Sequence, residues 1–140
     1  MKQVTRILAL SMIWGLLVAT SNGQTGAPGI KVKVPFGFAI GNTTLSAGQY
    51  LVLSSGDRIW IQDASARNVA VAYTGALDGK VPTKDGRVVF DCYSGECFLT
   101  QVWVAGQQSG RALAMSKRQT LLAKTKPTQE FTLAGRAMGR

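Results

Sequence analysis

RVVFDCYSGECFLTQVWV, residues 87 to 104, is the stretch on which the fold turns. Two runs rich in Val, Phe, Leu and Trp flank Tyr93-Ser94-Gly95-Glu96, and Ser-Gly between such runs signals a turn, so the segment reads as a β-hairpin. Centring the turn on Ser94-Gly95 opposes Cys92 to Cys97, Phe90 to Leu99 and Val88 to Gln101. Directly opposed residues have Cβ atoms about 4.5 to 5.5 Å apart, close to the separation a disulfide needs. The chain has two cysteines and no histidine, too few for a four-ligand zinc site. Four residues separate the cysteines, where a redox pair usually has about two. A Cys92–Cys97 disulfide is therefore expected, with two free thiols as the alternative. Closing so short a loop contributes about 2 kcal/mol, less any strain.

A structural disulfide persists in an oxidising compartment, and the N-terminus agrees. Lys2 and Arg6 precede ILALSMIWGLLVA, an unbroken apolar and small-residue run over residues 7–19, followed by TSNGQTGAPG. Charged start, short apolar run and small-residue exit describe a secretory signal peptide. The run is shorter than the roughly 20 residues of a spanning helix, so a retained anchor is the lesser reading. Ala19, Ser21 and Gly23 offer cleavage registers. The expected organisation is a signal peptide over 1–23, a flexible mature N-terminus over 24–29, and a single β domain over 30–140. That organisation implies a periplasmic or extracellular protein with no integral membrane segment in its mature form.

Without residues 1–23, 14 bases face seven acids. The excess is uneven. Residues 28–110 are nearly balanced, whereas 111–140 carry Arg111, Lys117, Arg118, Lys124, Lys126, Arg136 and Arg140 against Glu130 alone. A near-neutral body with a cationic end is attracted to anionic surfaces. Outside the cell those are envelope or matrix polymers, and no nucleic acid partner is expected.

Along the mature chain the apolar period is two. IKVKV (30–34) runs into PFGFAI (35–40), with Phe36, Phe38 and Ile40 on one side. GNTT is a turn, a strand follows at about 49–54, SSGD turns again, and RIWIQDA returns. NVAVAYTGAL (68–77) is a further strand, and GKVPTKDG is a polar loop. Centring the SSGD turn opposes Tyr50 to Ile61 and Val52 to Ile59. The opposite face then carries Leu51, Leu53 and Trp60 beside Arg58 and Gln62. AGQQSG breaks the pattern, and RALAMSKRQTLLAKTK (111–126) lacks a β-branched run. Ser116 and Gln119 form a capping-box pair, so a helix is expected at about 117–124, with Leu121 and Leu122 as its apolar face and Pro127 ending it. QEFTLAG (129–135) is the last strand. The expectation is an all-β fold: a β-sandwich or small barrel of about eight short antiparallel strands with one short C-terminal helix.

The chain lacks the commonest general base and metal ligand. Its acids fall mostly beside glycines in turns, so no catalytic residues, cofactor or metal are expected, and the protein reads as no enzyme. Arg58, Trp60 and Trp103 are candidate binding residues for sugar rings or a protein partner, unless the helix or a second sheet covers the patch. Asn42-Thr43-Thr44 matches a glycosylation acceptor, a motif frequent by chance.

The run VKVPFGFAIGNTTLSAGQYLVLSSGD, with its V-P-F-x-F opening, G-N turn and L-x-A-G-x-Y strand start, resembles small exported all-β proteins of acidobacteria. FLTQVWVAG followed by GRALAMSKRQTLLAK is similar to that group's hairpin and basic helix. These motifs are turn glycines and core aromatics, so the resemblance implies a fold and no activity. The cysteine pair departs from the group. Three functions are open at this stage. One is a non-catalytic secreted or envelope protein touching anionic material through Arg111, Lys117, Arg118, Lys124 and Lys126. Another is a homo-oligomer self-assembling by strand addition at IKVKV, which Lys31 and Lys33 oppose. The third is a small-ligand or glycan binder.

Overall fold

The computed structural model describes residues 29–79 and 84–137, so the expected signal peptide with its cleavage registers, nearly all of the expected flexible stretch 24–29, and Arg140 lie outside the described residues. Ten strands and one helix follow in order: β1 (Gly29–Val34), β2 (Phe38–Ile40), β3 (Thr43–Leu45), β4 (Gly48–Ser55), β5 (Arg58–Gln62), β6 (Asn68–Asp78), β7 (Gly86–Tyr93), β8 (Glu96–Trp103), β9 (Ser109–Leu113), α1 (Lys117–Thr125) and β10 (Gln129–Ala137). Eight of the strands close an antiparallel barrel in the circular order β1-β4-β5-β6-β9-β8-β7-β10. β7, β8 and β9 are successive neighbours, and β10 returns through α1 to lie beside β7, which is a Greek key.

Two long strands turn the corners. β6 pairs with β5 up to Tyr73 and with β9 from Thr74 onward. β10 pairs with β7 from Gln129 to Gly135, then with β1 at Arg136 and Ala137. The barrel is thus two sheets joined by strands that change partner, the usual corner of orthogonal packing. The β2–β3 hairpin is an addition, held by a parallel pairing of Phe38 and Ala39 with Cys97 and Phe98.

The interior is set by alternation. Ile30, Val32 and Val34 of β1, Tyr50 and Val52 of β4, Ile59 and Ile61 of β5, and Val88, Phe90 and Cys92 of β7 all point inward and are buried together. Phe90 is the hub: Phe36 and Phe38 meet its ring edge-on with centroids 5.1 and 5.3 Å away, and Phe38 meets Tyr50 at 5.4 Å. The Tyr50 hydroxyl donates to the Ser46 carbonyl at 2.6 Å, tying the start of β4 to its own turn.

The Cys92–Cys97 pair is bonded, Cα atoms 4.0 Å apart, across a two-residue loop. Ser94 and Gly95 both have positive φ (51° and 85°), which type I′ hairpin geometry requires. Phe90 opposes Leu99 as expected, but Val88 meets Val102 rather than Gln101. Thr100 is an extra residue between them, its hydroxyl donating to the Val89 carbonyl at 3.0 Å. The β4–β5 register also differs from expectation: Val52 meets Ile61 and Leu53 meets Trp60, because Gly56-Asp57 alone forms the loop. The shift is two residues, so every side chain keeps its expected face.

Other expectations change. PFGFAI does not continue β1, because the chain bends at Pro35–Gly37 to bring Phe36 and Phe38 under the barrel. GNTT holds a turn and the start of β3, and Ser109–Leu113 forms β9 where only a break and a helical lead-in were expected. The helix appears at 117–125, with Ser116 Oγ accepting from the Gln119 amide. Its buried residue is Gln119, whose side chain donates to the Tyr93 hydroxyl at 3.5 Å, while Leu121 is 63 % exposed. Helix α1 is thus docked on the β7–β8 hairpin by polar contacts.

Because the fully buried Phe90 packs against both Phe36 and Phe38, Phe90→Ala is expected to lose about 3–5 kcal/mol of stability. Joint replacement of Cys92 and Cys97 by Ala is expected to lose only about 2 kcal/mol and to leave the fold intact. Urea denaturation monitored by circular dichroism checks both.

Candidate functional site

The outward residues of the sheet containing β1, β4, β5 and β6 follow directly from the registers. Arg136, Lys31, Leu51 and Gln62 form one row across β10, β1, β4 and β5. Lys33 and Gln49 form the row on one side of it. On the other side, Leu53, Trp60 and Val71 form a row across β4, β5 and β6, and Arg58 and Tyr73 lie beyond them. One end of this face is cationic and the other is apolar and aromatic.

An open groove of about 760 Å³ runs along the cationic end, lined by Lys31, Lys33, Arg136, Gln49, Gln62 and Ala134 among others. Val32 also borders it, although its side chain is inward and buried, so Val32 presents backbone. The cause lies in the β1–β10 seam. Among the described residues β1 pairs with β10 at Ile30 and Lys31, and toward the end of β1 Phe36 packs on Phe131 across the divergence, 5.8 Å between centroids. IKVKV, the edge on which strand addition would rest, is therefore built into the barrel along β4 and at its first residues against β10.

Lys31 stands directly opposite Arg136, and Lys33 lies two residues along the same strand. None of the three is in an ion pair among the described residues, whose pairs are Arg58–Asp57, Arg67–Asp63 and Arg118–Glu96. The one acid at the groove, Asp63, is already engaged. Its carboxylate accepts from the Arg67 and Ser65 backbone amides at 3.1 and 2.9 Å and faces the Arg67 guanidinium at 3.3 Å. Chiefly the Arg67 amide bond holds its pKa below the ordinary carboxylate value. Like charges opposed across a ladder are destabilising, so an anion from outside would relieve the Lys31–Arg136 pair.

The predicted site residues fall in different places. Arg58 and Trp60 share the aromatic end with Leu51 and Leu53 nearby, and no helix is docked there among the described residues. Val71 and Tyr73, 56 % and 67 % exposed, enlarge that patch and were not singled out in the sequence. The Arg58 guanidinium lies 5.1 Å from the Tyr73 ring centre. Trp103 is elsewhere: β6 and β9 separate β8 from β5, and the ring is only 7 % exposed. It packs over Gly110, where an added Cβ would lie 2.6 Å from the ring, with Arg87 4.8 Å from its centre.

The basic segment is likewise divided. Arg111 donates to the Thr74 hydroxyl and carbonyl at 2.8 and 2.9 Å, which closes the β6–β9 edge. Arg118 grips Glu96 with two bonds of 2.6 and 2.8 Å, and that bonding lowers the Glu96 pKa. Lys117, Lys124 and Lys126 remain exposed on α1 and its C-terminal end, and Arg136 joins the groove. On β10's other half, Glu130 opposes Asp91, and burial together with that neighbouring charge raises the Asp91 pKa.

No group of three His, Cys, Asp or Glu side chains suited to a metal occurs among the described residues, and no helix there is long and apolar enough to cross a membrane. Comparison with known proteins finds no matching family model, no matching curated protein and no matching solved structure.

Two expected outcomes follow from the like-charge pairs. Lys31→Gln or Arg136→Gln is expected to raise stability by about 0.2–1 kcal/mol at low salt, the gain shrinking as salt screens the pair. Asp91→Asn is expected to raise stability at neutral pH and to lose its advantage in acid. The raised native pKa means the ionised Asp91 weakens the fold as pH climbs through that value, and the amide removes the penalty. Urea midpoints at pH 7 and pH 3 check the sign.

Proposed function

We propose that this chain is a non-catalytic exported protein of the periplasm or exterior that holds anionic envelope or matrix polymer in the Lys31–Lys33–Arg136 groove. The observation that carries the reading is the Lys31–Arg136 pair, two cations facing each other with no acid between them. Conservation of stability alone would favour one acid at either position. The exposed Lys117, Lys124 and Lys126 extend the cationic surface and add attraction over a Debye length. The disulfide is compatible with export.

The test uses the natural product. Intact mass is expected to show loss of about 23 residues, by the signal-peptide pattern, and no alkylatable thiol. Retention on an anionic polymer matrix is expected to fall at least roughly tenfold between 10 and 150 mM salt, as the Debye length shrinks from about 30 to 8 Å. The Lys31→Gln/Arg136→Gln variant is expected to lose most of that retention while staying folded. Salt-independent retention, or retention untouched by the variant, would refute the groove's role.

A further inference from the structure

We infer that the ligand of this face is an acidic polysaccharide whose carboxylates meet Lys31, Lys33 and Arg136 while its sugar rings lie against Trp60 and Tyr73. The inference rests on the groove reading above and names the ligand class. The two ends of the face are continuous, because Leu51 belongs to the groove and is followed on the same strand by Leu53, the neighbour of Trp60. Trp60 is two strands and one outward row from Lys31, about 12 Å at the usual strand spacing and rise. An extended chain lying across β1, β4 and β5 thus meets charge and aromatic surface together.

Three features select this chemistry over other anions. Aromatic side chains offer C–H and π surface to the apolar faces of sugar rings, and on this face Tyr73 is 67 % exposed and Trp60 is half-buried with its outer part accessible. Gln49 and Gln62 border the groove, and an amide both donates and accepts, which suits hydroxyl groups. A bare polyphosphate would engage the cations and leave the amide oxygens and aromatic row idle. A lipid surface asks for apolar side chains that pass the headgroups by about 5–10 Å, whereas Leu53 and Trp60 are half-buried in the barrel wall.

The test is calorimetric titration of the wild type, Trp60→Ala, Trp60→Tyr and Lys31→Gln/Lys33→Gln. The probes are polygalacturonate oligomers, their methyl esters, polyphosphate of equal charge and vesicles of neutral and anionic lipid. Circular dichroism establishes that each variant is folded. Polygalacturonate is expected to bind best, and Trp60→Ala to weaken it about three- to tenfold with polyphosphate binding unchanged. Trp60→Tyr is expected to restore binding, and the lysine variant and the methyl esters to show little. Equal binding of uronate and polyphosphate, both indifferent to Trp60, would overturn the inference and leave the anionic reading standing. Trp60-dependent binding to anionic vesicles in preference to uronate would replace the polysaccharide with a membrane. Failure to bind any anionic probe would remove both readings.

Discussion

Closure of the barrel depends on the ring of Phe90, which Phe36 and Phe38 reach from the far end of the described chain. Those contacts carry the segment that follows β1 against β7 and β10, where the β1–β10 pairing no longer reaches. Among the described residues the direct β1–β10 pairing covers two residue pairs. Side chains pack on both sides of it. Phe36 bridges Phe90 and Phe131 where the strands diverge, and Ile30 fills the space beside Gly86 and Gly135 where they meet. An added Cβ at Gly86 would stand 2.5 Å from Ile30 Cγ2, so close approach of β1 to β7 requires that glycine.

The same seam makes the groove. Strands that diverge beyond Lys31 expose backbone at Val32 and leave an outer channel that Lys33, Arg136 and Ala134 border. The fold and the candidate site therefore share one cause. Packing inside decides where the wall opens, and the outward alternation of β1 and β10 decides that the opening is lined by cations. Glu130 and Arg136 sit on one strand, yet each opposes its own sign, Asp91 in one case and Lys31 in the other. Two exchanges of charge would remove both repulsions without touching the core. The Lys31–Arg136 repulsion lies on exposed positions, where an outside anion can offset it, whereas Asp91 is half-buried.

Alternation made most of the core legible in the sequence. Period two groups Ile30, Val32 and Val34 on one face and Tyr50, Val52, Ile59 and Ile61 on another, all of them buried, and the two-residue register difference at β4–β5 leaves each on its expected face. The disulfide, the helix and its Ser116 cap were legible because each depends on residues within a few positions. What escaped was short or relational. β3 and β9 are three and five residues long, and each offers one leucine, Leu45 or Leu113, to the core, too little for period two to mark. Thr100 was invisible as a bulge because nothing in FLTQV marks which residue is extra.

The groove was hidden for a plainer reason. Lys31 and Arg136 are far apart in sequence, and each on its own is an unremarkable surface cation; one was read as an edge guard and the other as part of a basic tail. Only the barrel's closure makes them neighbours. Charge counted along the chain places the excess in residues 111–140, whereas the cations at the groove come from both ends of the β domain. Arg111 and Arg118, counted as free, are bonded to Thr74 and Glu96. A tally of bases in a segment overstates what is available to a ligand, because strands and helices first satisfy their own ends. The cations left over after that satisfaction, Lys31, Lys33 and Arg136 at the groove and Lys117, Lys124 and Lys126 on and just after α1, are the ones whose attraction an outside anion could use.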